Sequence, residues 1–142
     1  MILTEGDGTI MRFDGGLGFG PPVLYGTMNF PTAFAIDDLN NDGRLDIVVP
    51  SEGSNQVAIL LGDGLGGFTQ APSVPVGSGP TSVAVGDFNG DGKRDFIVVH
   101  PGPQSIATYH GDGTGGFTAS GYVNSFFTER RGQFFRGCPA RC

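Results

Sequence analysis

Apolar residues in this chain fall in short, β-branched runs such as Val57-Ala58-Ile59-Leu60-Leu61, Val83-Ala84-Val85 and Phe96-Ile97-Val98-Val99, separated by glycine, asparagine and aspartate. Nowhere do they recur at i, i+3, i+4 and i+7 over three turns, the spacing that lays an apolar stripe along a helix. Runs of this length suit strands, whose side chains alternate between two faces. Glycine (26 residues) and proline (10) together make up about a quarter of the 142 residues, so turns must be frequent. Val, Ile, Leu and Phe are too abundant for a disordered linker. The pattern predicts an all-β chain.

Shifted by 49 residues, the chain aligns with itself without a gap, and a period of that size marks a repeat architecture. Asp38-Leu39-Asn40-Asn41-Asp42-Gly43-Arg44-Leu45-Asp46 falls on Asp87-Phe88-Asn89-Gly90-Asp91-Gly92-Lys93-Arg94-Asp95, and Ile47-Val48-Val49 on Phe96-Ile97-Val98. Gly62-Asp63-Gly64-Leu65-Gly66-Gly67-Phe68 falls on Gly111-Asp112-Gly113-Thr114-Gly115-Gly116-Phe117, and one period earlier on residues 13–19. Pro31-Thr32 matches Pro80-Thr81. Each period reads as four strands around an acidic loop and a glycine-rich turn; in the second full period they are expected at roughly 81–87, 95–100, 105–110 and 117–123. Four antiparallel strands in fewer than fifty residues is the size of one propeller blade. The expected organisation is the second half of a blade over 1–29, full repeats over 30–78 and 79–123, and a divergent tail over 124–142, making an incomplete propeller of about two and a half blades.

The tail breaks the register. Glu129-Arg130 stands where a third Pro-Thr pair is due, and the tail carries four of the twelve phenylalanines, four of the seven arginines and both cysteines. A truncated or frame-shifted end and a short functional extension both fit this composition. Cys138 and Cys142 fit a local disulfide or half a metal site.

The acidic loops carry the candidate chemistry. In each, side-chain oxygens recur at every second position and glycine stands sixth, where a loop wrapping an ion must turn sharply. Calcium (Ca2+) takes six to eight oxygens, and Asp38, Asn40, Asp42 and Asp46, with the backbone carbonyl of Arg44 and a water, would supply them. Asp87, Asn89, Asp91 and Asp95, with the Lys93 carbonyl, would do the same. Magnesium dehydrates reluctantly and demands a strict octahedron, so an all-protein oxygen cage favours calcium. An EF-hand would need a Glu at the twelfth position, where this chain has Val49 and Val98, and helices on either side. The alternative is a pair of polar β-turns, although three carboxylates within nine residues repel one another without a cation.

Other residues narrow the function. A net charge of −6 with one lysine, Lys93, argues against a nucleic-acid footprint. No run approaches the ~20 apolar residues of a membrane span, and Met1-Ile-Leu-Thr-Glu5 lacks the features of a signal peptide. His100 and His110 have Ser51 and Leu61 at the matching positions and no nucleophile setting, so they read as ordinary strand-end residues. Asp63 and Asp112 read as turn formers, and Phe19, Phe68 and Phe117 as plugs between blades. No paired catalytic constellation is present, and the chain is expected not to be an enzyme.

The paired loops, each followed by an apolar strand, the Gly-Asp-Gly-x-Gly-Gly-Phe turns at 62–68 and 111–117 and the Pro-Thr starts at 31 and 80 resemble the FG-GAP repeats of integrin α-subunit β-propellers and their bacterial relatives, the VCBS repeats. The resemblance covers residues 8–123 and implies calcium in the loop between the first two strands of a blade. It also implies binding and adhesion outside the cell or at its surface, with an unknown protein or glycan as ligand. Closed propellers have four to eight blades, so the resemblance further implies a longer parent protein, an open stack or closure by self-assembly. The alternative is a scaffold fragment of a larger secreted hydrolase or lyase, and the divergent tail also keeps open a nonfunctional gene fragment.

Overall fold

Strands form where the apolar runs place them. The computed structural model describes residues 29–102 and 105–124, together with the strand backbones at 2–4, 9–12 and 23–24. Three short strands, β1 (Ile2–Thr4), β2 (Thr9–Arg12) and β3 (Val23–Leu24), pair antiparallel through Leu3↔Met11 and Ile10↔Val23. The second sheet contains β4 (Ala35–Asp37), β5 (Asp46–Ser51), β6 (Gln56–Gly62), β7 (Phe68–Gln70) and β8 (Val74–Pro75). The third contains β9 (Ser82–Gly86), β10 (Asp95–His100), β11 (Ser105–Gly111) and β12 (Phe117–Asn124). These last four lie within a residue of the ranges expected from the repeat. No helix occurs among the described residues, every pairing is antiparallel, and the sheets do not close on one another. This is the architecture of partial propeller blades. The tail beyond 124 lies outside the described residues.

The fourth strand differs between the two blades for a visible reason. In the second sheet β7 and β8 both pair with β6, through Leu61↔Thr69 and Val57↔Val74, and are separated by Ala71-Pro72-Ser73. Proline has no N–H to donate to a ladder, so the strand breaks there. In the third sheet β12 runs through, with Ser120 as an extra residue between the pairs Tyr109↔Ala119 and Thr108↔Gly121. That extra residue is a β-bulge.

The main core lies between the two blades. Val48, Val57, Ile59 and Val74 of the second sheet, with Leu39 of the loop after β4, pack with Phe96, Val98, Ala107 and Tyr109 of the third. The Phe96 and Tyr109 rings stack at 4.8 Å, and Phe117 tilts against Phe96 at the same separation. Burial raises the pKa of the Tyr109 phenol, with the Tyr122 phenol adding to the shift. On its other face the second sheet buries Ile47, Val49, Ala58 and Leu60 with Phe68 packed against them. Strand β5 is therefore buried on both faces. The third sheet is not: Ile97, Val99, Ile106 and Thr108 are half-exposed while their neighbours on the strand are buried. His100, read from sequence as an ordinary strand-end residue, is buried, with Nδ1 3.2 Å from the Ser78 carbonyl oxygen and no partner for Nε2 among the described residues.

Leu39 and its repeat counterpart test this packing directly. Leu39 is 0 % exposed, whereas Phe88, one period later, is 49 % exposed. Truncation to alanine at 39 is expected to cost about 2–5 kcal/mol, the usual range for a buried leucine. At 88 the same truncation is expected to cost only about 1 kcal/mol, because roughly half of that side chain stays in water. Urea unfolding of the two variants checks the difference.

Candidate cation-binding loops

Each acidic loop joins the first strand of a blade to the second, β4 to β5 and β9 to β10, and the two share most of their hydrogen bonds, the second adding one from Gly90 N–H to Asp87 Oδ1 at 2.7 Å. Asp38 accepts the N–H groups of Asp42 (3.1 Å) and Gly43 (2.8 Å), as Asp87 accepts those of Asp91 (3.1 Å) and Gly92 (2.9 Å). Asn40 Oδ1 accepts from Asp42 N–H and its amide donates to Asp42 Oδ2; Asn89 does the same with Asp91. Asp42 Oδ1 accepts the Arg44 N–H at 2.9 Å and Asp91 Oδ1 the Lys93 N–H at 2.8 Å. The bonds of Asn40, Asp42, Asn89 and Asp91 are side-chain turns of the kind that Asp and Asn form with backbone two residues on. The sixth-position glycines, Gly43 and Gly92, sit at φ +80° and +81°, the left-handed region where a side chain is strained.

The ninth aspartate has a second role that spacing alone does not reveal. Asp46 is 0 % exposed; its Oδ2 accepts the Leu39 N–H at 2.8 Å and its Oδ1 the Gly62 N–H at 2.8 Å. Asp95 likewise holds Phe88 N–H (3.0 Å) and Gly111 N–H (2.9 Å). The carboxylate thus straps the loop to the end of the third strand, while each oxygen keeps a lone pair for a further partner. Burial pushes the Asp46 carboxyl above the usual carboxylate range; the N–H groups of Gly62 and Leu39 pull it back, and the nearby charges of Asp42 and Asp38 raise it again. Asp87 is held below that range, chiefly by the Gly92 N–H and then by Gly90 and Asp91.

The strap explains the first glycine of each glycine-rich turn. A Cβ on Gly62 would lie 2.2 Å from the Leu45 carbonyl oxygen, and one on Gly111 would lie 2.0 Å from that of Arg94. Loop and turn are thus one construction, which the matching positions of these glycines hinted at but the reading as separate turns missed. Asp63 and Asp112 close their own turns: Asp63 accepts from Leu65 and Gly67 N–H at 2.7 and 2.9 Å. Among the described residues no three His, Cys, Asp or Glu side chains converge tightly enough to hold an ion as the loops stand. Asp42 and Asp91 are exposed, and Arg44 Nη1 lies 3.8 Å from Asp42 Oδ2.

This framework, repeated twice, is matched by a known family: the FG-GAP-like repeat aligns with residues 38–98 and again with 87–132, together more than half of the chain. The chain belongs to the FG-GAP-like repeat family. No curated protein matches the chain. Both FG-GAP-like matches start on the first aspartate of an acidic loop, Asp38 or Asp87, so the loop and the strand after it are integral to the repeat. The FG-GAP-like repeat is a structural and ligand-binding unit, not typically a catalytic one.

The glycine-rich turn of the second FG-GAP-like repeat gives a pH prediction. Thr114 hydroxyl and N–H, with Gly116 N–H, hold the Asp112 carboxyl below its usual value. A depressed folded pKa stabilises above the unfolded value of 3.8, and that stabilisation is lost as pH falls through the folded value. Asp112→Asn is therefore expected to be less stable at pH 7 by a few tenths to about 1 kcal/mol, small because the turn is exposed. The gap should shrink toward pH 3, as urea midpoints at the two pH values will show.

Proposed function

We propose that this chain is a calcium-binding β-propeller repeat module for non-catalytic ligand binding or adhesion, part of a larger protein that works outside the cell or at its surface. The observation that carries the cation part is the shared, oxygen-only framework of the two loops, with matching donors at matching positions. Asp38, Asn40, Asp42, Asp46 and the Arg44 carbonyl in one loop, and Asp87, Asn89, Asp91, Asp95 and the Lys93 carbonyl in the other, form hard donor sets suited to Ca2+. Each set carries three carboxylates within nine residues, whose mutual repulsion a bound cation would relieve. Reorientation of the exposed Asp42 and Asp91 side chains toward the loop centre completes the set.

The half-exposed face of the third sheet supports a further blade as partner. Ile97, Val99, Ile106 and Thr108 occupy the repeat positions of Val48, Pro50, Val57 and Ile59, and Val48, Val57 and Ile59 are the residues with which the second sheet receives the third. A protein or glycan ligand would then be held by several blades together.

Thermal unfolding in excess chelator and across a calcium titration, with magnesium as control, tests the cation part. A ligand that binds only the folded chain stabilises it by about 2.7 kcal/mol at a hundred times Kd. The expected result is a calcium-specific rise in Tm that Asp42→Asn and Asp91→Asn each reduce. A folded chain whose Tm ignores calcium would refute the cation part.

A further inference from the structure

Resting on that cation reading, we infer that the two loops are unequal: the loop between β4 and β5, docked across the boundary between blades, is the tighter cation site, and Arg94 is the residue that positions it. Asp37, the last residue of β4, accepts the Asp38 N–H through Oδ1 at 2.9 Å and pairs through Oδ2 with Arg94 Nε at 3.1 Å. One carboxylate thus ties the first ligand's backbone to the eighth residue of the other loop. Leu39, the second residue of the first loop, is 0 % exposed within the core shared with Phe96 and Tyr109. Asn41 reaches the neighbouring blade's glycine-rich turn, where a Cβ on Gly113 would lie 3.3 Å from its Nδ2.

The second loop shares the Arg94 pair through its eighth residue but has no counterpart of Asp37, Leu39 or Asn41 at its own start. Gly86, Phe88 and Gly90 stand at the matching positions, and Phe88 is 49 % exposed. Asp38 and Asn40 are half-buried where Asp87 and Asn89 are exposed. The two donor sets carry equal charge, so their affinities differ through rigidity, which sets calcium affinity alongside charge count. A loop already held by its neighbour loses less freedom when it closes on an ion. Occupancy of the first loop in turn fixes the junction between the blades.

Arg94 separates positioning from charge. On Coulomb grounds alone, removing a cation that lies between two cation sites tightens both. If Arg94 positions Asp37 and hence Asp38, its removal weakens the first site instead, by about one-and-a-half to fivefold for a half-exposed ion pair.

Calorimetric titration of the full chain with calcium chloride is the test, on wild type, Asp42→Asn, Asp91→Asn and Arg94→Leu, leucine being the residue at the matching position 45. The expected result is two steps, the tighter lost in Asp42→Asn and the weaker in Asp91→Asn. Arg94→Leu should weaken the tighter step and leave the weaker unchanged or slightly tighter. If Arg94→Leu does not unfold cooperatively in chelator, Arg94→Lys serves instead: it keeps the charge but loses the Nε contact to Asp37, so it should weaken the tighter step where charge alone predicts no change. A single class of equal sites, a tighter step lost in Asp91→Asn, or tightening of both steps in Arg94→Leu overturns the inference while leaving the cation reading intact. Absence of calcium heat in the wild type overturns both.

Discussion

Replacement of Asp46 by alanine is expected to lower stability by about 3–5 kcal/mol even in excess chelator, enough to unfold many domains of this size. The carboxylate accepts two buried N–H groups, those of Leu39 and Gly62, at 2.8 Å each. Alanine would leave both unsatisfied, at about 1–3 kcal/mol apiece, and would open a void where a 0 % exposed side chain had been. Asp42→Ala is the contrast. Asp42 is exposed and bonds only within its own loop, so without calcium its loss should fall within about 1 kcal/mol. If Asp46→Ala and Asp42→Ala proved equally mild in chelator, the strap would be wrong and Asp46 would be a ligand only. Chemical denaturation in chelator decides this.

Gly111→Ala is expected to be nearly as damaging, at about 2–3 kcal/mol or more. The new methyl group would lie 2.0 Å from the Arg94 carbonyl oxygen, and a backbone carbonyl cannot swing aside as a flexible side chain can. Forcing even one methyl into a filled space typically costs 1–3 kcal/mol. Here the clash also pushes apart the Gly111 N–H and Asp95 Oδ1, which bond at 2.9 Å. Gly121→Ala is the control, since a Cβ there meets nothing within 4 Å. Urea midpoints should drop sharply for Gly111→Ala and hardly move for Gly121→Ala; similar midpoints would show that the close approach is not tight.

Much of this was legible in the residues themselves. The 49-residue period located all four strands of the third sheet, because apolar runs and turn residues alternate so regularly there. The loops were legible for the same reason: Asp, Asn and Gly at fixed offsets make local turns whatever surrounds them. What the sequence hid is what depends on distant residues. Asp46 and Gly62 are 16 apart, and their bond appears only once β6 has folded back against β5. Arg94 and Leu45 occupy one repeat position, yet only Arg94 has a neighbouring blade's Asp37 within reach. His100 falls on Ser51, so the repeat gave no sign that an imidazole would be buried at a blade junction.

The proline break in the second sheet bears on how this chain behaves at high concentration. A sheet edge presents unpaired N–H and C=O groups on which a foreign strand can grow, and short or interrupted edges resist it. Pro72 splits that edge into pieces of three and two residues. The third sheet ends in β12, eight residues long, which among the described residues is interrupted by the kink at Ser120 alone. Amyloid-like templating, if concentration or mild heat provokes it, would therefore start on β12, and a proline at one of its outward-facing amides is the natural gatekeeper to engineer there.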